Sequence, residues 1–313
     1  MLTGIDTGGT FTDLVLIESD GAVRIRKVPS TPADPSQAVL AGLGLLNPPA
    51  GSPIIHGTTV ATNALLERRV ARAALLTSPG CRDVLEIARQ TRDRLYDLSP
   101  PPRVPLIPRE LRFEAAGRLD WQGFQVEPLD EGAVVAALEE MRARGAESVA
   151  VCLLFSYLDP EHERRAGRLA RARGFRVSLS SEIAPEEREY ERTSTTCANA
   201  AVAPILARYL ERLSGMLAEG GPGEPGGPRL SVMQSDGGTL SASEAARQAI
   251  RTVLSGPAGG VVAAAHAARS AGIRRIITFD MGGTSTDVAL LDGEPRAVRT
   301  GEVAGLPLAI PML

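Results

Sequence analysis

Two short runs of this sequence place aspartate, glycine and threonine where phosphate chemistry needs them. Residues 6–13 read Asp-Thr-Gly-Gly-Thr-Phe-Thr-Asp, and residues 280–287 read Asp-Met-Gly-Gly-Thr-Ser-Thr-Asp. The Asp, Gly, Gly, Thr, Thr and Asp positions coincide without a gap. Gly8, Gly9, Gly282 and Gly283 can take positive φ and let the backbone approach a phosphate with no side chain in between. The hydroxyls of Thr10, Thr12, Thr284 and Thr286, with the N–H groups of the turns, supply donors to phosphate oxygens. Asp6 and Asp280, at the strand ends, can orient waters on a magnesium ion, which prefers oxygen ligands and keeps most of its hydration shell. Ordinary tight turns with local Thr and Asp hydrogen bonds would use the same residue types. A match at every one of these positions in two copies favours paired phosphate hairpins instead.

Such loops need strands on either side. Apolar residues 14–17 and 23–28 read as two strands joined by Glu18-Ser19-Asp20-Gly21, while 276–279 and 288–291 flank the second copy. Asp34-Pro35 caps a helix running to about Leu46, with Pro in its first position. Residues 54–55, 73–76 and 149–155 read as buried strands. Asp159-Pro160 opens another helix, followed by a strand at 175–179. This alternation is the α/β signature. Residues 99–108 are a proline-rich surface crossing, and 219–228 form a Gly/Pro-rich mobile loop. The stretch 305–313 is apolar and uncapped, which reads as a chain cut inside a domain, with residues 306–313 left exposed.

A chain of 313 residues accommodates about two domains, drawn here as 1–195 and 196–313. Its hydrophobic content of 43% supports ordinary cores, and a net charge of -3 argues against a dedicated nucleic-acid binder. No run approaches the roughly 18 apolar residues that span a membrane, and the N-terminus carries no signal-peptide pattern. Cys81, Cys152 and Cys197 are widely spaced and odd in number, which excludes a disulfide framework or a Cys-x-x-Cys metal site. A cytoplasmic protein is expected. The chain's one lysine, Lys27, follows Arg26 rather than a glycine, so a Walker loop is absent.

The duplicated hairpin resembles the two phosphate loops of the actin, sugar-kinase and heat-shock-chaperone ATPases. That resemblance implies an α/β, ribonuclease-H-like actin-type ATPase fold with ATP and Mg2+ held between two domains. Leu254-Ser255-Gly256-Pro257-Ala258-Gly259-Gly260, followed by small residues to Ala268, is similar to the superfamily's interdomain helix. Longer runs are more specific: His56-Gly57-Thr58-Thr59-Val60-Ala61-Thr62-Asn63, residues 80–90 with 95–98, residues 189–200, and Met233-Gln234-Ser235-Asp236-Gly237-Gly238. These resemble the hydantoinase A/5-oxoprolinase family over essentially the whole chain. Cys81 and Val70 depart from it, standing where an aromatic residue and a glycine are expected. Members of that family are about twice as long, so the resemblance implies a first domain largely complete and a second one truncated, with the adenosine pocket further on. The fragment alone is then expected to be inactive and frayed at its end.

The resemblance further implies ATP-dependent opening of a small cyclic amide, 5-oxoproline or a hydantoin, alongside a hydantoinase B-type partner subunit or domain. Alternatives are an ATP-dependent carboxylase subunit, a small-molecule kinase and an ATP-operated regulatory protein. His56 ends an apolar strand and is a candidate catalytic donor, or else a histidine satisfied by the turn that follows. Arg192, in Glu-Tyr-Glu-Arg-Thr-Ser-Thr-Thr, is a second catalytic candidate, or a solvent-facing helix charge. Thr58, Thr59 and Asn63 are substrate candidates that also suit a helix start. Asp236 is either a substrate-side ligand or a turn residue. His162 is expected to be exposed in a first helical turn, and Cys197 to be packing.

Overall fold

The structure is a computed structural model. It describes residues 1–31, 33–91, 96–99, 103–219, 229–281 and 286–313. The mobile loop expected at 219–228 lies almost entirely outside them. Strands β1 (Leu2–Thr7), β2 (Phe11–Ile17) and β3 (Val23–Pro29) precede helix α1 (Pro35–Leu46), strand β4 (Ile54–Thr58) and helix α2 (Val60–Leu66). Then come β5 (Ala73–Thr77), the single turn α3 (Val84–Ile87), β6 (Arg112–Glu114), β7 (Arg118–Leu119) and β8 (Gln125–Glu127). Helix α4 (Glu131–Ala143), β9 (Ser148–Cys152), α5 (Glu161–Ala172), β10 (Arg176–Leu179) and α6 (Ser180–Ile183) lead into the long α7 (Glu189–Glu219). The rest comprises β11 (Leu230–Met233), β12 (Thr239–Ser241), α8 (Ala242–Arg247), α9 (Ser255–Ser270), β13 (Arg275–Met281), β14 (Thr286–Asp292), β15 (Gly301–Val303) and β16 (Leu306–Leu308).

The chain forms two compact units, one of Met1–Ala64, Ile205–Thr300 and Ile310–Leu313, the other of Leu65–Pro204 and Gly301–Ala309. Helix α7 runs through residue 195 without a break, and the change of unit falls within it at Pro204.

In the first unit a sheet of order β12-β11-β4-β1-β2-β3 has β1 antiparallel to β2 but parallel to β4, the ribonuclease-H-like arrangement. Alternate residues Ile5, Leu14 and Leu16 are buried on one face. Helix α1 covers β2 and β3. Its start is set as expected: the Asp34 carboxylate accepts the Ser36 N–H at 3.3 Å, and Pro35 needs no donor partner there. Helix and strand touch at Gly42, where a Cβ would fall 2.2 Å from Leu14 Cδ1 and force that side chain to move.

The ribbon β13–β14 follows α9 and turns Ile277, Phe279, Met281, Val288 and Leu290 outward, Leu290 being 81% exposed. The second unit holds a parallel sheet, β10-β9-β5-β6. Strands β5 and β9 are buried along their whole length, as parallel strands covered on both faces are. The apolar end of the chain corrects one expectation. Leu308, Ala309, Ile310 and Met312 are buried, with the Ala309 N–H on the Thr195 hydroxyl at 2.8 Å. The Leu313 N–H donates to the Ser235 carbonyl at 2.9 Å. These contacts give the segment both apolar and polar partners, so it is not an exposed tail.

Candidate phosphate-binding site

Strands β1 and β2 meet in the register Asp6↔Asp13 and Thr7↔Thr12. Strands β13 and β14 meet in the register Asp280↔Asp287 and Met281↔Thr286. The two copies therefore share cross-strand partners as well as residue types. Both hairpins belong to the first unit. Gly282, Gly283 and Thr284 lie outside the described residues, and Thr286 stands exposed at the start of β14.

In the first hairpin the Gly8 N–H donates to the Phe11 carbonyl at 3.0 Å and closes the turn. Neither Gly8 nor Gly9 uses the positive φ open to glycine. Glycine serves by leaving room: a Cβ on Gly9 would meet nothing within 4 Å, and Thr10 beside it is exposed. Thr12 is different. It is 0% exposed, and its hydroxyl bonds to Ser30 Oγ at 3.0 Å. It braces the loop from behind, and its expected contact with phosphate is withdrawn because its hydroxyl faces protein.

Asp6 keeps solvent access, yet protein closes around its carboxylate. A Cβ on Gly57, its neighbour on β4, would stand 2.9 Å from Asp6 Oδ1, and one on Gly256, in the first turn of α9, would stand 3.8 Å from it. These glycines keep a cradle open that a side chain at 57 would fill. Crowding by the protein raises the Asp6 pKa, and the Asp13 and Asp280 carboxylates push it further in the same direction. Like charges gathered in this way are relieved by a cation. Among the described residues no group of three His, Cys, Asp or Glu could hold a metal ion. The acidic cradle suits a hydrated magnesium, which prefers oxygen ligands and keeps most of its waters.

His56 is 0% exposed, with Nε2 2.7 Å from the Tyr209 hydroxyl of α7. Burial pushes its pKa down to about 4, with the Ile5 backbone opposing weakly, although Nδ1 makes no well-formed hydrogen bond. A neutral imidazole sealed under the sheet cannot touch substrate, so the catalytic expectation is corrected to a core pair that seats β4. The same depression has a consequence in acid. The unfolded chain binds the proton from about pH 6.5 downward, the folded one only near pH 4. Stability from this group is thus complete above about pH 6.5 and is lost as pH falls toward 4, by about 3 kcal/mol. His56→Asn should flatten that acid limb of the urea-unfolding profile, whatever it does to stability at pH 7. An unchanged slope would show that His56 is not the titrating group.

Thr58, Thr59 and Asn63 form a helix start. The Thr58 hydroxyl accepts the Val60 N–H at 3.3 Å, Thr59 Oγ1 donates to the Thr7 carbonyl at 3.3 Å, and Asn63 Nδ2 donates to Thr59 Oγ1 at 3.2 Å. Asn63 is exposed and Thr59 half-buried, whereas Thr58 is sealed. The Asp236 carboxylate accepts the Gly238 N–H at 2.9 Å beside Gly237 at φ +82, the turn that joins β11 to β12.

Arg192 lies in the second unit and is 0% exposed. It donates to the Leu153 carbonyl at 3.3 Å and to the hydroxyls of Ser156 and Ser180, 3.8 Å from Glu163 Oε1. The Glu163 carboxylate, also sealed, takes the Leu153 and Ser181 N–H groups at 2.8 and 2.9 Å. A guanidinium so enclosed is a structural partner of Glu163, which corrects its expected catalytic role. His162 is likewise buried, 2.9 Å from Gln125 Oε1, and not exposed as its place in a charged first turn suggested. Cys197 is packed in the core, where burial pushes its thiol pKa up.

Sequence reasoning missed Gly57, Gly256, Ser30, Tyr209 and Glu163. For Gly57 a signal existed, since glycine inside a strand marks close approach. The others are found only once the chain is folded.

The comparisons with known proteins give the family and the fold. Residues 2–174 match the family described as hydantoinase/oxoprolinase N-terminal region, and residues 192–313 match the family hydantoinase/oxoprolinase. The fold is that of the actin-like ATPases, in part of a longer architecture. This chain belongs to the hydantoinase/oxoprolinase family. It is 38% identical to the caprolactamase subunit alpha of Pseudomonas jessenii over 93% of its own length and 43% of that protein's. It is 31% identical to the 5-oxoprolinase of Saccharomyces cerevisiae, across 99% of this chain and 27% of that one. A nucleotide-free structure of acetone carboxylase, solved for the mechanism of ATP-dependent acetone carboxylation, superposes with a TM-score of 0.86 at 29% identity, covering 100% of this chain and 47% of that one. The chain thus spans less than half the length of each of these relatives.

Proposed function

We propose that this protein is part of an ATP-dependent hydrolase that opens a cyclic amide of the 5-oxoproline or hydantoin type. The observation that carries the reading is the pair of hairpins in identical register, with Asp280 acting on the carboxylate of Asp6. Amide resonance makes a lactam carbonyl a poor electrophile. Transfer of the γ-phosphoryl group of ATP to the lactam oxygen, with release of ADP, makes the ring carbon electrophilic. Water adds there, the C–N bond breaks as nitrogen takes a proton, and a second water hydrolyses the resulting acyl phosphate to the acid and phosphate. In phosphoryl transfer of this kind catalysis is mainly positioning and charge neutralisation. Gly8, Gly9 and Thr10, with Gly282, Gly283, Thr284 and Thr286, hold phosphate oxygens, while Asp6 and Asp280 orient the waters of magnesium. The half-buried Thr59 and the exposed Asn63 are the substrate-side candidates that remain. A hydantoinase B-type subunit or domain is the partner, and the cytoplasm the location.

The likeness to acetone carboxylase favours a second reading, in which the same hairpins activate a ketone and bicarbonate as part of a carboxylase. One experiment separates them. The complete enzyme is offered ATP with a panel of lactams and hydantoins, or with ketones and bicarbonate, and phosphate release and products are followed. Ring-opened product with stoichiometric phosphate supports the hydrolase. Carboxylated product supports the second reading, and a stable phosphorylated substrate would sink both in favour of a kinase.

A further inference from the structure

Ser30, at the end of β3, touches the first hairpin at three points. Its hydroxyl donates to the Gly8 carbonyl at 2.7 Å, and its N–H donates to the Thr10 carbonyl at 2.9 Å. With its one proton given to Gly8, Ser30 Oγ accepts from the buried Thr12 hydroxyl at 3.0 Å. Ser30 is itself fixed from both sides. Pro29 pairs with Phe11, and the Thr31 hydroxyl donates to the Asp34 carbonyl at 2.6 Å while accepting the Ala38 N–H of α1 at 3.2 Å.

Every described peptide here is trans. In a planar trans peptide the carbonyl and the following N–H point in opposite directions. Tying the Gly8 and Thr10 carbonyls to Ser30 therefore turns the Gly9 and Phe11 N–H groups away from Ser30. Without that tie, the peptide between Gly8 and Gly9 is free to rotate, because glycine imposes little steric restriction on it. One of its two orientations presents a carbonyl oxygen, which repels phosphate.

We propose that Ser30 is a positioning residue for phosphate binding, holding the Gly8-Gly9-Thr10 backbone so that the Gly9 N–H is aimed at the anion. This rests on the ATP reading above. It gives the glycine pair a partner that the repeated motif does not contain, and it explains why Thr12 is buried while Thr10 is open.

The test compares wild type with Ser30→Ala, Ser30→Thr and Asp6→Asn in the complete enzyme. Magnesium-ATP affinity is measured by calorimetry, and amide exchange of residues 8–12 without nucleotide. Ser30→Ala should weaken binding about tenfold, the scale of one lost hydrogen-bonding side chain, and speed exchange in this turn. The global unfolding midpoint should hold. Ser30→Thr, which keeps Oγ, should restore both. A merely structural serine would lower the midpoint without singling out the turn. Wild-type affinity and exchange in Ser30→Ala, with Asp6→Asn still impaired, overturns the Ser30 assignment and leaves the ATP reading standing. Equal affinity in wild type, Ser30→Ala and Asp6→Asn, or no binding by wild type, overturns both.

Discussion

Asp6→Asn and Asp280→Asn should each cut ATP turnover in the complete enzyme by about 100-fold or more, while Asp6→Asn leaves the unfolding midpoint unchanged or raised. The size follows from losing one electrostatic contact to charge that develops on the transferring phosphoryl group, about 2.7–4 kcal/mol in comparable sites. The direction of the stability change comes from the surroundings of Asp6. Burial first, then Asp13 and Asp280, raise its pKa, so the ionised carboxylate is held at the expense of the fold. A folded-state pKa above the unfolded one means that neutralising the group stabilises, and asparagine is neutral at every pH. Loss of turnover together with unchanged or raised stability is the mark of a residue kept for function. Turnover measured alongside thermal unfolding decides it. Unaltered turnover in both variants would dismantle the two-hairpin site, and lost turnover with a lowered midpoint in Asp6→Asn would recast Asp6 as a fold residue.

The parts of this site visible in sequence are those built from neighbours along the chain. The first hairpin turn and the Asp34-Pro35 helix start depend on short-range geometry, and both formed where their residues stand. The strands at 54–58 and 73–77 were half-visible, since a run of apolar residues marks burial on both faces without giving its length. What stayed hidden depends on long-range meeting. Glu163 and Arg192 are far apart in sequence and lie among arginines and glutamates that look solvated, yet both are sealed. His162 sits in the same charged-looking turn and is buried against Gln125. His56 could be read as ligand or core with equal right until Tyr209 was seen to occupy it. Of the two uses that residue type offered the glycines at 8 and 9, positive φ and lack of a side chain, the fold takes only the second.

The buried pair in the second unit yields the other large effect. Arg192→Met should destabilise that unit by about 3–5 kcal/mol, because removing one member of a buried ion pair leaves the other charge without compensation. For a domain of this size that is a fall in unfolding midpoint of roughly 10 °C. Glu163 keeps its Leu153 and Ser181 N–H donors, but hydrogen bonds from neutral groups do not replace the guanidinium. Adding Glu163→Gln removes the uncompensated charge, so the double variant should be more stable than Arg192→Met alone, the two changes being strongly non-additive. Turnover then separates the structural role from the catalytic one. If Arg192 only neutralises Glu163, the double variant regains ATP-dependent turnover along with its stability. A double variant that folds at the wild-type midpoint and remains inactive would return Arg192 to the reacting atoms. An Arg192→Met variant within about 1 kcal/mol of wild type, below the range for breaking a buried pair, would show that the pair holds nothing together.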